Sequence, residues 1–286
     1  KFCKFCVVPY TRGAEFSRST EEILLEANQL INNGVKEIIL LGQNVNAYNY
    51  KNKKLSDLLY ELDKIKNLER IRYTTSHPKD LTDDLIEAHK KCKKLMPILH
   101  LPVQSGSSKI LKTMNRNHSV EEYLLKIKKL KEKNPLIEFS SDFIIAYPGE
   151  TQEDFEDSIF LMKKVKFINS YSFIFSPRPG TPAANLKMIN SKIAKNRLFT
   201  FQKVANEIKK KYRNKLINTT AKVLFENKTK DEMGYFGRDE YFNSVIVNRN
   251  NENLIGKIKK VKINQCNQNT LFGDILSDTS HKEFAA

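Results

Sequence analysis

The sequence predicts an α/β chain: a partial, TIM-like (β/α)6 barrel followed by a small all-β barrel. Three observations predict it. Short apolar runs alternate with amphipathic helical stretches between residues 19 and 216, which argues for parallel strands joined by right-handed crossovers. Each run ends in a polar or glycine-bearing motif, the arrangement of a site on the carboxyl face of a barrel. From Thr219 the pattern turns to short alternating segments punctuated by glycine, the mark of an all-β module.

The elements follow in order. Ser19 and Glu22 form a capping box ahead of Ile23, Leu24, Ala27, Leu30 and Ile31, and Gly34 stops the helix. An apolar strand over 37–42 comes next, then a helix marked by Leu55, Leu58, Leu59, Leu62 and Ile65, and a strand over 70–75. A helix begins near Thr82, a strand spans 97–103, and a short helix follows it. Ser119 and Glu122 cap a helix carrying Tyr123, Leu124, Ile127 and Leu130; a strand over 137–146, a helix from Thr151 and a strand over 168–176 complete the series. Five strands fit a barrel or a doubly wound sheet alike. What favours the barrel is the motif at each strand end: Gly42-Gln43-Asn44, Ser76-His77-Pro78, Gln104-Ser105-Gly106, Tyr147-Pro148-Gly149-Glu150 and Ser176 to Gly180. A first strand is expected ahead of Cys3 and is absent from this sequence. A long helix over 191–216 leads to β segments at 221–225, 244–247, 255–263 and 270–276, a barrel of about 65 residues. The expected domains are therefore 1–217 and 218–280, with a frayed tail at 281–286.

Net charge is +16, which invites a polyanionic partner. Lys outnumbers Arg 39 to 10, with abundant Asn and Ile, and that bias alone lifts the charge. The few arginines are thus the more informative cations, since Lys is poor at planar bidentate recognition. The excess sits in the larger domain: residues 1–217 hold 39 basic against 24 acidic side chains, whereas 218–286 hold ten against nine. RNA contact shared by both domains is expected, not a clamp by the small one. No run of 18 apolar residues exists, so no transmembrane helix is expected, and the first residues have no apolar h-region. Four cysteines are too few for a disulfide scaffold, which points to a reducing, cytoplasmic setting; Cys92 and Cys266 read as small buried hydrophobes.

Cys3-Lys-Phe-Cys6 is moderately specific by itself. A zinc site needs two further ligands, and no second paired motif exists. A thioredoxin-type pair would sit between a strand and a helix with Gly-Pro inside, which Lys4-Phe5 does not supply. An iron–sulfur cluster remains, for which the chain is one thiolate short.

The run from Cys3 through Gly13 resembles the second half of the C-x3-C-x2-C signature of radical S-adenosylmethionine (SAM) enzymes, as it occurs in the methylthiotransferase family. In that family the first Cys would lie two residues before Lys1, outside this sequence. The likeness continues through Leu40–Tyr48, Thr74–Pro78, Leu99–Ser107, Met114–Arg116, Ser141–Ile144, Tyr147–Thr151 and Tyr171–Pro182, so it covers nearly the whole chain in order. The segment from Thr219 resembles the family's RNA-binding TRAM domain. Three branches differ in substrate: isopentenyladenosine in tRNA, threonylcarbamoyladenosine in tRNA, and a ribosomal-protein aspartate. Residues 42–48 and 172–181 look most like the first. A non-catalytic RNA-binding remnant is the other alternative.

The resemblance implies a [4Fe–4S] cluster on three thiolates, with SAM chelating the fourth iron, and a second [4Fe–4S] cluster in an N-terminal domain that the chain lacks. It implies two SAM molecules: one methylates sulfur, and the other is cleaved to a radical that takes hydrogen from C2 of the modified adenine. This stretch alone is expected not to turn over. The partners implied are the tRNA anticodon stem-loop carrying isopentenyladenosine and a reducing electron donor. Cys3 and Cys6 become cluster ligands, and Phe5 approaches the adenine of SAM. Gln43, Asn44, Ser76, Gln104, Ser105 and Asp142, all taken as lying at strand ends, are expected to bind SAM, with Arg116 on its carboxylate. Arg12, Arg18 and Arg178, with Lys257, Lys259 and Lys260 on the basic strand of the small domain, are expected on RNA or the substrate base. His77 and His100 read as packed or hydrogen-bonded.

Overall fold

The computed structural model describes residues 3–248 and 252–276; the expected tail at 281–286 lies outside them. The chain forms two compact units, 1–209 and 210–286.

In the first unit, helix α1 (Val8–Arg12) follows the Cys loop, with Pro9 in its first turn. Helix α2 (Thr20–Asn32) opens on the capping box of Ser19 and Glu22, and Gly34 beyond it takes a positive φ. Strands β1 (Glu37–Leu40), β2 (Arg70–Tyr73), β3 (Ile98–His100), β4 (Glu138–Ile145) and β5 (Asn169–Ile174) follow. Between them run α3 (Leu55–Asp63), α4 (Asp83–Lys91), α5 (Ser108–Thr113), α6 (Val120–Lys133) and α7 (Gln152–Val165). A small hairpin at 49–54 was not expected.

β1 pairs with β2, β3 with β4 and β4 with β5, all parallel. Ile71 of β2 bridges to the approach of β3, donating to the Lys94 carbonyl at 2.7 Å and accepting from Met96 N–H at 2.9 Å. Spatial order thus follows chain order. A doubly wound sheet would reverse its order at a switch point; this progression is that of a barrel. The regular part of β3 is shorter than the expected 97–103 strand. Beyond it, Gln104 takes a φ of 79° and makes an isolated bridge to Phe143.

Alternate strand residues face opposite ways. Ile71, Leu99, Phe139 and Phe143 are buried in one core with Leu58, Leu59 and Leu62 of α3, Leu85 and Ala88 of α4, Leu130 of α6, and Leu161 and Met162 of α7. Each full burial of such a side chain contributes roughly 1.5–3 kcal/mol. The opposite, inner face is polar. Glu37 lies between Arg70 at 3.6 Å and Arg72 at 3.0 Å, all three largely buried. One layer further along, His100 contacts Ser140 at 2.9 Å and Asp142 at 3.4 Å, with Tyr171 edge-on to its ring. Asp142 therefore sits in mid-strand, not at a strand end as the sequence suggested. The expected strand, 137–146, already ran past Asp142, and the observed β4 ends at Ile145.

Gly106, after Gln104-Ser105, is a packing glycine. A Cβ there would collide with the Asp157 carbonyl and the Ser158 backbone of α7, and its N–H donates to Ser158 Oγ at 2.8 Å.

Helix α8 (Ser191–Leu216) matches its expected span and enters the second unit. There β6 (Thr220–Lys228), β7 (Gly234–Arg238), β8 (Ser244–Asn248), β9 (Ile258–Cys266) and β10 (Thr270–Ile275) close in the order β8-β10-β9-β6-β7. Val223, Phe225, Val245, Val247, Val261, Ile263 and Leu271 fill it. Strand β7 escaped the sequence reading because Gly234 and Gly237 look like turn punctuation. Gly237 is instead a close-approach position, where a Cβ would strike the Leu224 carbonyl of β6. Cys92 is buried as expected, its thiol pushed up to about 12 by desolvation and then by Asp63. Cys266 is only half-buried and reaches Asn214 Oδ1 at 3.3 Å.

Candidate active site

The loops after the strands interlock at one end of the first unit. Asn44 Nδ2, after β1, donates to Asp80 Oδ2 at 2.8 Å, and Val45 N–H donates to the Thr75 carbonyl at 3.1 Å. Asn46 exchanges hydrogen bonds with the His77 backbone. The His77 ring lies 5.8 Å from that of His118, which joins the loop after β2 to the segment after α5. Lys126 of α6 ties the same loop down, donating to the carbonyls of Pro78 at 2.6 Å and Leu81 at 2.9 Å.

The Cys loop is docked across this end. Cys6 N–H donates to the Cys3 carbonyl at 3.0 Å, closing a tight turn. Lys4 N–H donates to the Met114 carbonyl, and Ala183 N–H donates to the Lys4 carbonyl, each at 3.0 Å. Phe5 packs on a small apolar cluster of Ile110, Met114, Tyr147, Phe175 and Ala183. Arg116, 6% exposed, donates from Nη2 to the Pro102 carbonyl at 2.6 Å and from Nη1 to Cys3 Sγ at 3.6 Å.

Two features mark this end as built for something more. The first is backbone strain: Thr75, Gln104 and Ala146, after β2, β3 and β4, take φ of 64°, 79° and 58°. Left-handed non-glycine residues cost about 1–3 kcal/mol each and cluster at functional sites. Ala146 is held there by Glu150, whose carboxylate accepts the Ala146 N–H at 3.1 Å and is itself bound by Arg197 at 2.8 Å. Burial pushes the Glu150 carboxyl up to about 7, against the pull of Arg197. The second feature is unsatisfied polarity. Asn44 Oδ1, Ser76 Oγ, Arg116 Nε, both His118 ring nitrogens and Tyr147 Oη are buried with no protein partner. Each such group costs about 1–3 kcal/mol, so the site fits a polar ligand that would complete them.

Cys3, Phe5, Cys6 and Arg116 thus come together, with Asn44 and Ser76 on the neighbouring, interlocked loops. Gln43 is exposed; with Asn44, Arg12 and Arg18 it lines a cleft of ≈ 730 Å³ whose walls include neither thiol. Ser105 is fully buried and its Oγ accepts from Ser107 N–H at 3.2 Å. Gln104 donates its backbone N–H to the Asp142 carbonyl at 3.0 Å. Arg18 is paired with Glu26 at 2.6 Å, and Arg178 is exposed, its carbonyl accepting from Thr181. In the second unit Lys257 and Lys259 both contact Glu252, whereas Lys260 is exposed. Sequence reasoning missed Tyr147 and His118. Tyr147 stands in a motif already recognised, but nothing in its spacing shows that its hydroxyl is orphaned.

Residues 1–162 match the radical SAM superfamily, and residues 214–276 match the TRAM domain. The first match takes in more than half of the chain, which belongs to the radical SAM superfamily. Such proteins use a [4Fe–4S] cluster and SAM. Among the described residues no group of three or more His, Cys, Asp and Glu is placed to hold a metal.

Among curated relatives, the tRNA-2-methylthio-N(6)-dimethylallyladenosine synthase of Pelagibacter ubique (strain HTCC1062) is 58% identical over 293 residues, covering 100% of this chain and 64% of that protein. The protein of the same name from Rickettsia akari (strain Hartford) is 51% identical over 282 residues, covering 96% and 63%. The chain spans a little under two thirds of the length of these relatives. Among solved structures, methylornithine synthase has a TM-score of 0.47 at 16% identity, over 71% of this chain and 59% of that one.

Proposed function

We propose that this chain is the SAM-binding and RNA-contacting part of an enzyme that methylthiolates C2 of N6-isopentenyladenosine in tRNA. The observation that carries the reading is the docking of Cys3-Lys-Phe-Cys6 across the strand ends, beside the buried Arg116, in a chain 58% identical to a synthase named for that product. The C2–H bond is unactivated, and cluster-bound SAM supplies the carbon-radical chemistry that acid–base groups cannot.

The chain's own residues do the rest. Cys3 and Cys6 hold iron, and Phe5 offers its face and backbone to the adenine of SAM. Asn44, Ser76 and Arg116 complete their hydrogen bonds on the amino acid and ribose groups of SAM, with Gln43, Gln104, Ser105 and Asp142 arranged around them. Arg12, Arg18 and Arg178, on the larger unit, and Lys257, Lys259 and Lys260, on the TRAM barrel, meet RNA; the nucleic acid displaces the weak surface pairs that several of them make, since exposed pairs contribute about 0–1 kcal/mol. The anticodon stem-loop as target, a reducing electron donor, a second [4Fe–4S] cluster outside these residues and a cytoplasmic location belong to the same reading. Among the described residues no helix is long and apolar enough to cross a membrane.

Nucleoside analysis of tRNA from a strain lacking the gene tests this. Loss of 2-methylthio-N6-isopentenyladenosine, restored by the complete gene but not by one carrying Cys3→Ala, is expected. Unchanged tRNA, with a ribosomal protein losing its methylthio group instead, overturns it.

A further inference from the structure

Among the described residues, Tyr147 is the one orphaned polar group whose ring packs in the cluster under the Cys loop. It follows Ala146, whose strained backbone is pinned by the buried Glu150–Arg197 pair. The turn is therefore rigid and its aim is fixed. The ring is fully buried and meets the Phe175 ring edge-on at 5.1 Å. Phe5, between the two cysteines, packs on the same cluster, as does Met114, whose carbonyl holds Lys4. A phenol keeps its proton at neutral pH and so acts as a donor.

We infer that the Tyr147 hydroxyl donates a hydrogen bond to sulfur of the cluster anchored by Cys3, alongside the Arg116 guanidinium, and thereby raises the reduction potential of that cluster. Arg116 Nη1 already lies 3.6 Å from Cys3 Sγ, and the phenol, whose ring lies in the cluster that Phe5 of the Cys loop packs against, has no protein acceptor. Hydrogen bonds to cluster sulfur stabilise the more negative, reduced state, and such outer contacts are one of the protein's levers on potential. A buried phenol costs stability until an acceptor arrives, and an anionic sulfur is an acceptor the bound state brings. Tyr147 is in this reading a positioning residue for electron density, not a ligand.

The inference rests on Cys3 and Cys6 being cluster ligands. The test uses the complete, iron-reconstituted protein and its Tyr147→Phe variant, which keeps the ring and removes only the oxygen. Redox titration followed by electron paramagnetic resonance should give a more negative midpoint potential for Y147F at equal iron content. Resonance Raman of the wild type should show iron–sulfur modes that move on exchange into D2O, a shift that Y147F diminishes. Equal iron with unchanged potential and equal D2O shifts overturns the inference and leaves the ligand assignment standing. A wild type that binds no iron overturns both.

Discussion

The two ends of the parallel strands in the larger unit are built on opposite rules. At the amino end, buried charge closes on itself: the Glu37 carboxylate lies between Arg70 and Arg72, on adjacent strands that begin at this layer. At the carboxyl end, the chain buries an amide oxygen, a hydroxyl, an imidazole and a phenol without partners and bends three non-glycine residues into left-handed backbone. The lesson is a division of labour along one set of strands. One end pairs its buried charges within the protein and serves stability, and the other leaves polar groups for a ligand to complete.

The largest effect should come from the closed end. Glu37→Ala leaves two buried guanidiniums without that carboxylate, and removing one partner of a buried pair costs about 3–5 kcal/mol. Chemical denaturation should show this as a lower midpoint, while the affinity of whatever protein remains folded for SAM stays within about twofold. A comparable loss of stability from Arg116→Ala would erase the contrast between the ends.

Between the ends, the helical shell should give an intermediate effect that depends on pH. His89 of α4 is buried against Tyr73, 2.7 Å from its hydroxyl, and desolvation lowers its pKa to about 4. A histidine held neutral contributes stability that is present above its unfolded value near 6.5 and lost as pH falls through about 4. The shift corresponds to ~3 kcal/mol across that window. Unfolding free energies measured from pH 7 to pH 4 should fall accordingly, and His89→Gln should flatten the slope. An unaltered slope in the variant would assign the acid sensitivity elsewhere.

The smallest effect is expected at the open end. Ser76→Ala removes a buried hydroxyl that has no partner, so stability should hold or rise by up to ~1 kcal/mol. SAM affinity of the complete, cluster-loaded protein should drop about fivefold, the equivalent of one ordinary hydrogen bond. Calorimetry reads both quantities; a destabilised variant with intact affinity would make Ser76 a structural residue.

Much of this was legible in the sequence because it is local. The boxes at Ser19/Glu22 and Ser119/Glu122 satisfy backbone N–H groups within one turn, so their spacing alone declares them. Strand ends are legible in the same way, since each carries its turn chemistry. What resists reading is closure. Arg70-Ile71-Arg72-Tyr73 alternates like any strand with a solvated face, and only the curvature of the sheet turns that face inward and brings Glu37 to it. The site shows the same limit. Asn44 and Ser76 are marked by motif, but their setting depends on loops meeting across the barrel end, as Asn44 does Asp80 and His77 does His118. Asp142 was grouped with the strand-end residues although the strand read from the sequence already ran past it, and Tyr147 was overlooked.

Gly106 shows what the missing atom of a side chain can accomplish. Because α7 rides on its bare α-carbon, the helix and the loop beyond β3 behave as a single rigid piece, locked by Ser158 on one side and by the contact of Ser107 with Asp154 on the other. One extra methyl would act as a wedge, tilting the helix that opens at Thr151 and, through it, the turn that aims Tyr147. Fine adjustment of the cluster's surroundings is therefore possible from a position that touches neither sulfur nor SAM.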